Sequence, residues 1–195
     1  MSEKTRTDET LARTGALLTG HFLLSSGRHS PRYVQCAKAM EQPDEAAALG
    51  ADLAERLRDA SAERVISPPL GALLIGYEVA RSLGLPFAFP ERDEDGVFRF
   101  RRGFEVRPGE RVIVVEDVIT TGRTTRELTV LLKSLGVRVV GLGAIVDRSA
   151  AHAVEGVQIT ALTRISFPTY EASQCPLCQA GEPLVKPGSR QMEGG

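Results

Sequence analysis

A chain of 195 residues, 42% hydrophobic and 25% charged, is long enough to bury a core as a single domain without crosslinks. Its 24 Lys+Arg against 25 Asp+Glu leave a formal charge of -1, which excludes both a global basic field for nucleic acid and an acidic, solvating disordered chain. The first residues, Met1 to Asp8, are polar and no apolar run nears the roughly 18 residues of a membrane span, so the chain reads as soluble and cytoplasmic.

Residues 1 to about 40 look like an appendage: a short amphipathic stretch from Glu9 to Leu18, then a turn-rich segment from His21 to Tyr33 punctuated by Ser, Gly and Pro. Pro43 and Asp44 open a predicted helix to about Arg58, because Leu49, Leu53 and Leu57 recur on one face while Asp52, Glu55, Arg56 and Arg58 lie mostly off it. From Arg64 onward strands and helices alternate: Val65-Ile66, Gly71 to Leu83, Pro86 to Phe89, Arg111 to Glu116, Thr124 to Leu135, Val137 to Val146. That alternation predicts an α/β fold with a parallel sheet, and ligands bind beyond the carboxyl ends of such strands. The β-branched run Val112-Ile113-Val114-Val115 reads as a central strand covered on both faces. Between Glu91 and Gly109 the chain is charged and glycine-bearing, which predicts a hairpin-like mobile loop near the site. The tail from Pro183 to Gly195 is expected to fray.

The most informative segment is Glu116-Asp117-Val118-Ile119-Thr120-Thr121-Gly122-Arg123-Thr124. A buried strand delivers two carboxylates at its end, and a Thr/Gly loop opens a helix directly after them. Glu116 and Asp117 can accept hydrogen bonds from the vicinal hydroxyls of a ribose, while Thr hydroxyls and amides at a helix N-terminus suit a phosphate. Gly122 permits close approach or positive φ. Two other phosphate motifs are set aside. No Gly-x4-Gly-Lys-Ser/Thr run is present, and Gly141-Leu142-Gly143 lacks a third glycine and lies inside an apolar strand pattern. Ser67-Pro68-Pro69-Leu70-Gly71, between a strand and a helix, reads by composition as a proline-rich βα turn.

Residues 116–124 resemble the 5-phosphoribosyl-1-pyrophosphate (PRPP) signature of the type I phosphoribosyltransferases. Gly20 to Pro31 resembles the amino-terminal segment of orotate phosphoribosyltransferases, and Val146-Asp147-Arg148-Ser149 resembles their post-strand element. The resemblance covers roughly residues 10 to 185 and implies that Ser67–Gly71 occupies the place where this fold class holds pyrophosphate. It implies a type I phosphoribosyltransferase fold: a central, mostly parallel sheet flanked by helices, a core over about 44–165, and a small hood from about 1–40 with the C-terminal segment. It implies further that residues 116–124 bind PRPP, that Thr120 and Arg148 touch orotate, and that Glu116, Asp117 and Arg92 are catalytic, with Mg2+ carried in by PRPP and a homodimer as the assembly. Arg148 also makes chemical sense alone, since a guanidinium fork matches a carboxylate in a way that lysine cannot; read from position alone, it could equally be a surface arginine paired with Asp147. A purine-specific enzyme would share the central motif, and a ligand-sensing regulator on this fold would need a basic surface that the composition does not advertise.

The sequence departs from the family at several points. Leu70 and Ser25 stand where relatives often carry lysine, and the loop has Asp93-Glu94-Asp95 and no lysine, so that only Arg92 aligns, as in a short-loop subgroup. Arg99, Arg101 and Arg102 could supply charge instead. The cysteines, Cys36, Cys175 and Cys178, are odd in number, which argues against a secreted disulfide framework. Cys175-Pro176-Leu177-Cys178 has the spacing of half a zinc site or a redox pair. No nearby Cys/His set in the sequence completes it, so a packing turn is expected, with a metal shared between subunits and redox sensing as alternatives; His21 and His29 are expected to be turn or packing residues.

Overall fold

The computed structural model describes residues 5–24 and 26–187. The amphipathic stretch of the amino terminus divides in two. Helix α1 (Arg6–Arg13) starts in a reciprocal capping box between Thr5 and Asp8, and Gly15, at φ 69°, turns the chain into strand β1 (Leu17–Leu23). Strand β2 (His29–Val34) pairs antiparallel with β1. The segment from His21 to Tyr33 is therefore a hairpin, where an irregular, turn-rich stretch was expected; Ser26 and Gly27 form its turn, and the flanking residues satisfy their amides across the ladder. Short helix α2 (Ala37–Met40) leads to α3 (Pro43–Leu57), with proline in its first turn as the sequence predicts.

The βα alternation follows. Strand β3 (Arg64–Ile66) precedes α4 (Leu73–Leu83), and then come β4 (Phe87–Ala88), the hairpin strands β5 (Pro90–Arg92) and β6 (Phe98–Phe100), and β7 (Arg111–Ile119). Helix α5 (Arg123–Ser134), strands β8 (Arg138–Asp147), β9 (Ala153–Val154) and β10 (Val157–Arg164), and the single turn α6 (Pro176–Gln179) complete the chain. The main sheet has the order β4-β3-β7-β8-β10-β9 and is parallel except for β9. Strand β7 runs three residues beyond the Glu116 limit expected from sequence, because Val118 and Ile119 still pair with Val146 and Asp147.

Each strand buries alternate side chains on opposite faces. Ile113 and Val115 pack with Leu49, Leu53, Leu57, Ile75 and Val79 from α3 and α4; Val112 and Val114 pack with Leu128 and Leu132 from α5. Each fully buried leucine there contributes about 1.5–3 kcal/mol relative to exposure. Gly143 belongs to this packing and to no nucleotide motif: a Cβ on it would lie 2.8 Å from Leu57 Cδ1, so its absence lets α3 sit close on β8.

The hood is built from both ends of the chain. His29 exchanges backbone hydrogen bonds of 2.9 Å with Tyr170, and Arg28 donates to the Thr169 hydroxyl and carbonyl. The tail does not fray at Pro183: the Val185 amide donates to the His21 carbonyl and the Leu23 amide to the Val185 carbonyl, each at 2.8 Å. The rest of that tail, residues 188–195, lies outside the described residues, as does Ser25.

Candidate active site

The carboxyl end of β7 and the turn after it form the floor of the site. Glu116 is buried, and the Thr125 hydroxyl, from the first turn of α5, donates to its Oε1 at 3.4 Å. Burial, joined by the neighbouring Asp117 charge, holds the Glu116 carboxyl well above the ordinary carboxylate range. Burial also raises Asp117, against the Val118 amide that donates to its Oδ1 at 2.8 Å. Two adjacent acids under this strain favour a cation or hydroxyl donors beside them.

Gly71 faces the Asp117 carboxylate so closely that a Cβ there would stand 2.7 Å from Oδ2. The turn Ser67–Gly71 thus lies against Asp117; its Pro69-Leu70 peptide is cis. Thr120 and Thr121 are exposed, and Gly122, at φ 69°, is the N-cap of α5 with its α-carbon face against Val154. A side chain there would meet Val154 Cγ2 at 2.9 Å, so glycine is required both for conformation and for space. The first-turn amides of α5, which no residue of the helix itself can satisfy, therefore follow directly on the Thr120-Thr121 turn.

Parallel pairing of β7 with β8 sets Ile119 beside Asp147, and the Arg148 amide donates to the Ile119 carbonyl at 2.8 Å. Arg148 therefore flanks the Thr120 loop. Its side chain does not pair with Asp147, the arrangement that position alone left open. Asp147 is instead engaged by the Ser149 amide and hydroxyl, by His152 Nδ1 at 2.6 Å and by Arg164; burial pushes its carboxyl up, but the Ser149 and His152 contacts outweigh it and hold it low. Arg148 is half-buried, with its guanidinium carbon 4.8 Å from the Phe167 ring centre and its buried Nε without a hydrogen-bond partner among the described residues. Burial lowers its pKa, against the Tyr33 phenol, and Tyr33 is in turn raised by burial and by the Asp117 charge. Tyr33 and Phe167 stand beside Arg148, an arrangement that sequence reading did not foresee because both reach the sheet end only through tertiary packing.

Arg92 stands apart from this cluster. On β5 its guanidinium lies 4.0 Å from the Phe98 ring centre and pairs with Glu127 of α5 at 2.6 Å. Arg123 pairs with the same Glu127 at 2.9 Å, and Arg99 and Arg102 pair with Asp93 and Glu91 inside the hairpin. The loop is a charged hairpin, as expected, docked on the helix that follows the Thr/Gly turn.

The family described as the phosphoribosyl transferase domain matches residues 37–157. An orotate phosphoribosyltransferase of Desulforamulus reducens is 50% identical over 180 residues, 92% of this chain and 94% of that one. A solved structure of Leishmania donovani UMP synthase aligns with TM-score 0.71 and 25% identity over 82% of this chain, which spans 36% of that longer protein. The orotate phosphoribosyltransferase of Aeropyrum pernix aligns with TM-score 0.66 and 26% identity, over 81% of this chain and 93% of the other. The strand-acid-acid-turn-helix unit, its type I fold and these likenesses agree: the chain belongs to the phosphoribosyl transferase domain family and, within it, to the orotate phosphoribosyltransferases.

Proposed function

We propose that this chain transfers the ribose 5-phosphate group of PRPP to orotate, giving orotidine 5'-monophosphate and pyrophosphate in pyrimidine nucleotide synthesis. The observation that carries the reading is the pairing of two kinds of site at one sheet end: the buried Glu116 and half-buried Asp117 with a Thr/Gly turn, and a half-buried arginine whose Nε has no hydrogen-bond partner among the described residues. In the reaction the bond from ribose C1 to pyrophosphate oxygen breaks with its electrons going to oxygen. The bond from C1 to N1 of the base forms, and the N1 proton leaves to solvent.

Glu116 and Asp117 accept hydrogen bonds from the ribose hydroxyls and add negative potential where positive charge develops on the sugar. Thr120, Thr121, Gly122, Arg123 and Thr124, with Val118 and Ile119 preceding them, cradle the 5-phosphate through hydroxyls and helix-start amides. Arg148 and Thr120 hold the orotate carboxylate and ring edge, and the Tyr33 and Phe167 side chains close around the ring. Hard carboxylate oxygens beside the Gly71 turn fit Mg2+, which keeps waters and binds through substrate phosphates. When bound it would neutralise charge on the departing pyrophosphate. Arg92 would have to exchange Glu127 for pyrophosphate to act, and closure of the β5–β6 hairpin is the movement that permits it.

A homodimer fits the exposed apolar row Leu70, Leu74 and Tyr77, which lies on one side of α4 and the turn before it. No helix among the described residues is long and apolar enough to cross a membrane. The test is product formation with PRPP and Mg2+ from orotate, uracil, adenine, guanine and hypoxanthine in turn. Turnover of orotate alone is expected; preference for a purine would overturn the base assignment and leave the phosphoribosyl site intact.

A further inference from the structure

The hood brings together four side chains that the active site does not use. His21 and His29 from β1 and β2 meet Cys175 and Cys178 from the C-terminal segment, and one donor atom from each lies within 4.8 Å of all the others. His21 Nε2 is 2.9 Å from His29 Nδ1, 3.5 Å from Cys175 Sγ and 3.6 Å from Cys178 Sγ, and Cys178 Sγ is 3.2 Å from His29 Nδ1. This overturns the expectation that no Cys/His set completes the Cys175–Cys178 pair and that His21 and His29 serve only turns or packing. The completing histidines are about 150 positions away in sequence (149 from His29 to Cys178), which is why spacing could not reveal them.

We propose that these four residues form a structural zinc site of Cys2His2 type. Tetrahedral zinc with Zn–S near 2.3 Å and Zn–N near 2.0–2.1 Å requires ligand separations of about 3.6 Å for S to N and about 3.3 Å for N to N. Both sulfur distances to His21 Nε2 already match, and His29 Nδ1 needs to move by only a few tenths of an ångström from His21 Nε2 and from Cys178 Sγ. The His21 tautomer is also set. Its Nδ1 lies 2.8 Å from the Glu182 carbonyl, which can only accept, so Nδ1 carries the proton and Nε2 turns a lone pair on the cluster. His21, His29 and Cys175 are buried, and Cys178 alone is exposed, which leaves an entry path for the ion. Binding displaces the two thiol protons to solvent and converts both cysteines to thiolate ligands. The ion would fasten the C-terminal segment to the β1–β2 hairpin and thereby fix the strand that carries Tyr33 to the active site.

The test uses the full, untagged chain, loaded with zinc under reducing conditions and passed into metal-free buffer. About one zinc per chain is expected by elemental analysis, and the cobalt-loaded protein should show sulfur-to-metal charge transfer with tetrahedral visible bands. The Cys175→Ser/Cys178→Ser variant and the single variant Cys178→Ser, at the exposed position, should both lose the stoichiometric ion while circular dichroism reports a folded chain. A chelator should lower the melting temperature of the wild type by about 5 °C or more and leave that of the double variant unmoved. Less than about a tenth of an equivalent in the zinc-loaded wild type, full retention by the double variant, a cobalt spectrum without the thiolate band, or a melting temperature indifferent to the chelator would each overturn the proposal.

Discussion

Replacing Arg148 with alanine separates the two substrates. In the free protein Arg148 makes no ion pair among the described residues, and its contact with Phe167 is a cation–π pair of about 0.5–2 kcal/mol. Burial of the guanidinium works against even that gain, so Arg148→Ala should shift the melting temperature by no more than roughly 4 °C. The complex is different. Loss of a desolvated, charge-assisted contact to the orotate carboxylate should cost on the order of 2–4 kcal/mol, which is about 30- to 700-fold in the Michaelis constant for orotate. The constant for PRPP should change much less, because residues 116–124 hold that substrate. Arg148→Lys should recover only part of the loss, since an ammonium cannot reproduce the two-pronged geometry. Uracil, which has no carboxylate, should be used as poorly by the variant as by the wild type. Steady-state kinetics with each substrate varied in turn, beside thermal melts, makes the measurement. Equal damage to both Michaelis constants, or a large fall in melting temperature with little kinetic effect, would assign Arg148 to structure and refute the reasoning.

Two further perturbations address the floor of the site. Glu116 and Asp117 both have raised native pKa values, so the folded state keeps protons that the unfolded chain loses above a pH of about 4, and stability falls as pH rises from there through the raised values. Glu116→Gln keeps the shape and removes one charge; it should melt higher than wild type at pH ~8 with a flatter pH dependence, and turn over more slowly, and a variant whose melting temperature tracks the wild type across pH would dissociate Glu116 from the effect. Gly71→Ala would place a methyl 2.7 Å from Asp117 Oδ2, and because the carboxylate must then shift by about half an ångström, kcat should fall by roughly 10- to 100-fold with little loss of stability. Wild-type kinetics in a folded Gly71→Ala protein would mean that Asp117 is not placed by that turn.

Local sequence carried the centre of this protein. The β-branched run at 112–115 fixes a strand buried on both faces, the acids follow it, and Gly122 starts a helix, all within about a dozen consecutive positions where propensity and pattern act at short range. The helix over Pro43–Leu57 and the parallel alternation were legible for the same reason. Sequence reading left Arg148 between two partners, Asp147 and a ligand; only the packed structure shows Asp147 committed to Ser149, His152 and Arg164. It read the amino-terminal segment as turns, because hairpin pairing depends on a partner strand and on a C-terminal segment that meets it from the other end of the chain. The convergence of His21 and His29 on Cys175 and Cys178 was invisible for the strongest form of that reason. Residues with no regular spacing between them become neighbours only when the β1–β2 hairpin and the C-terminal segment pack together.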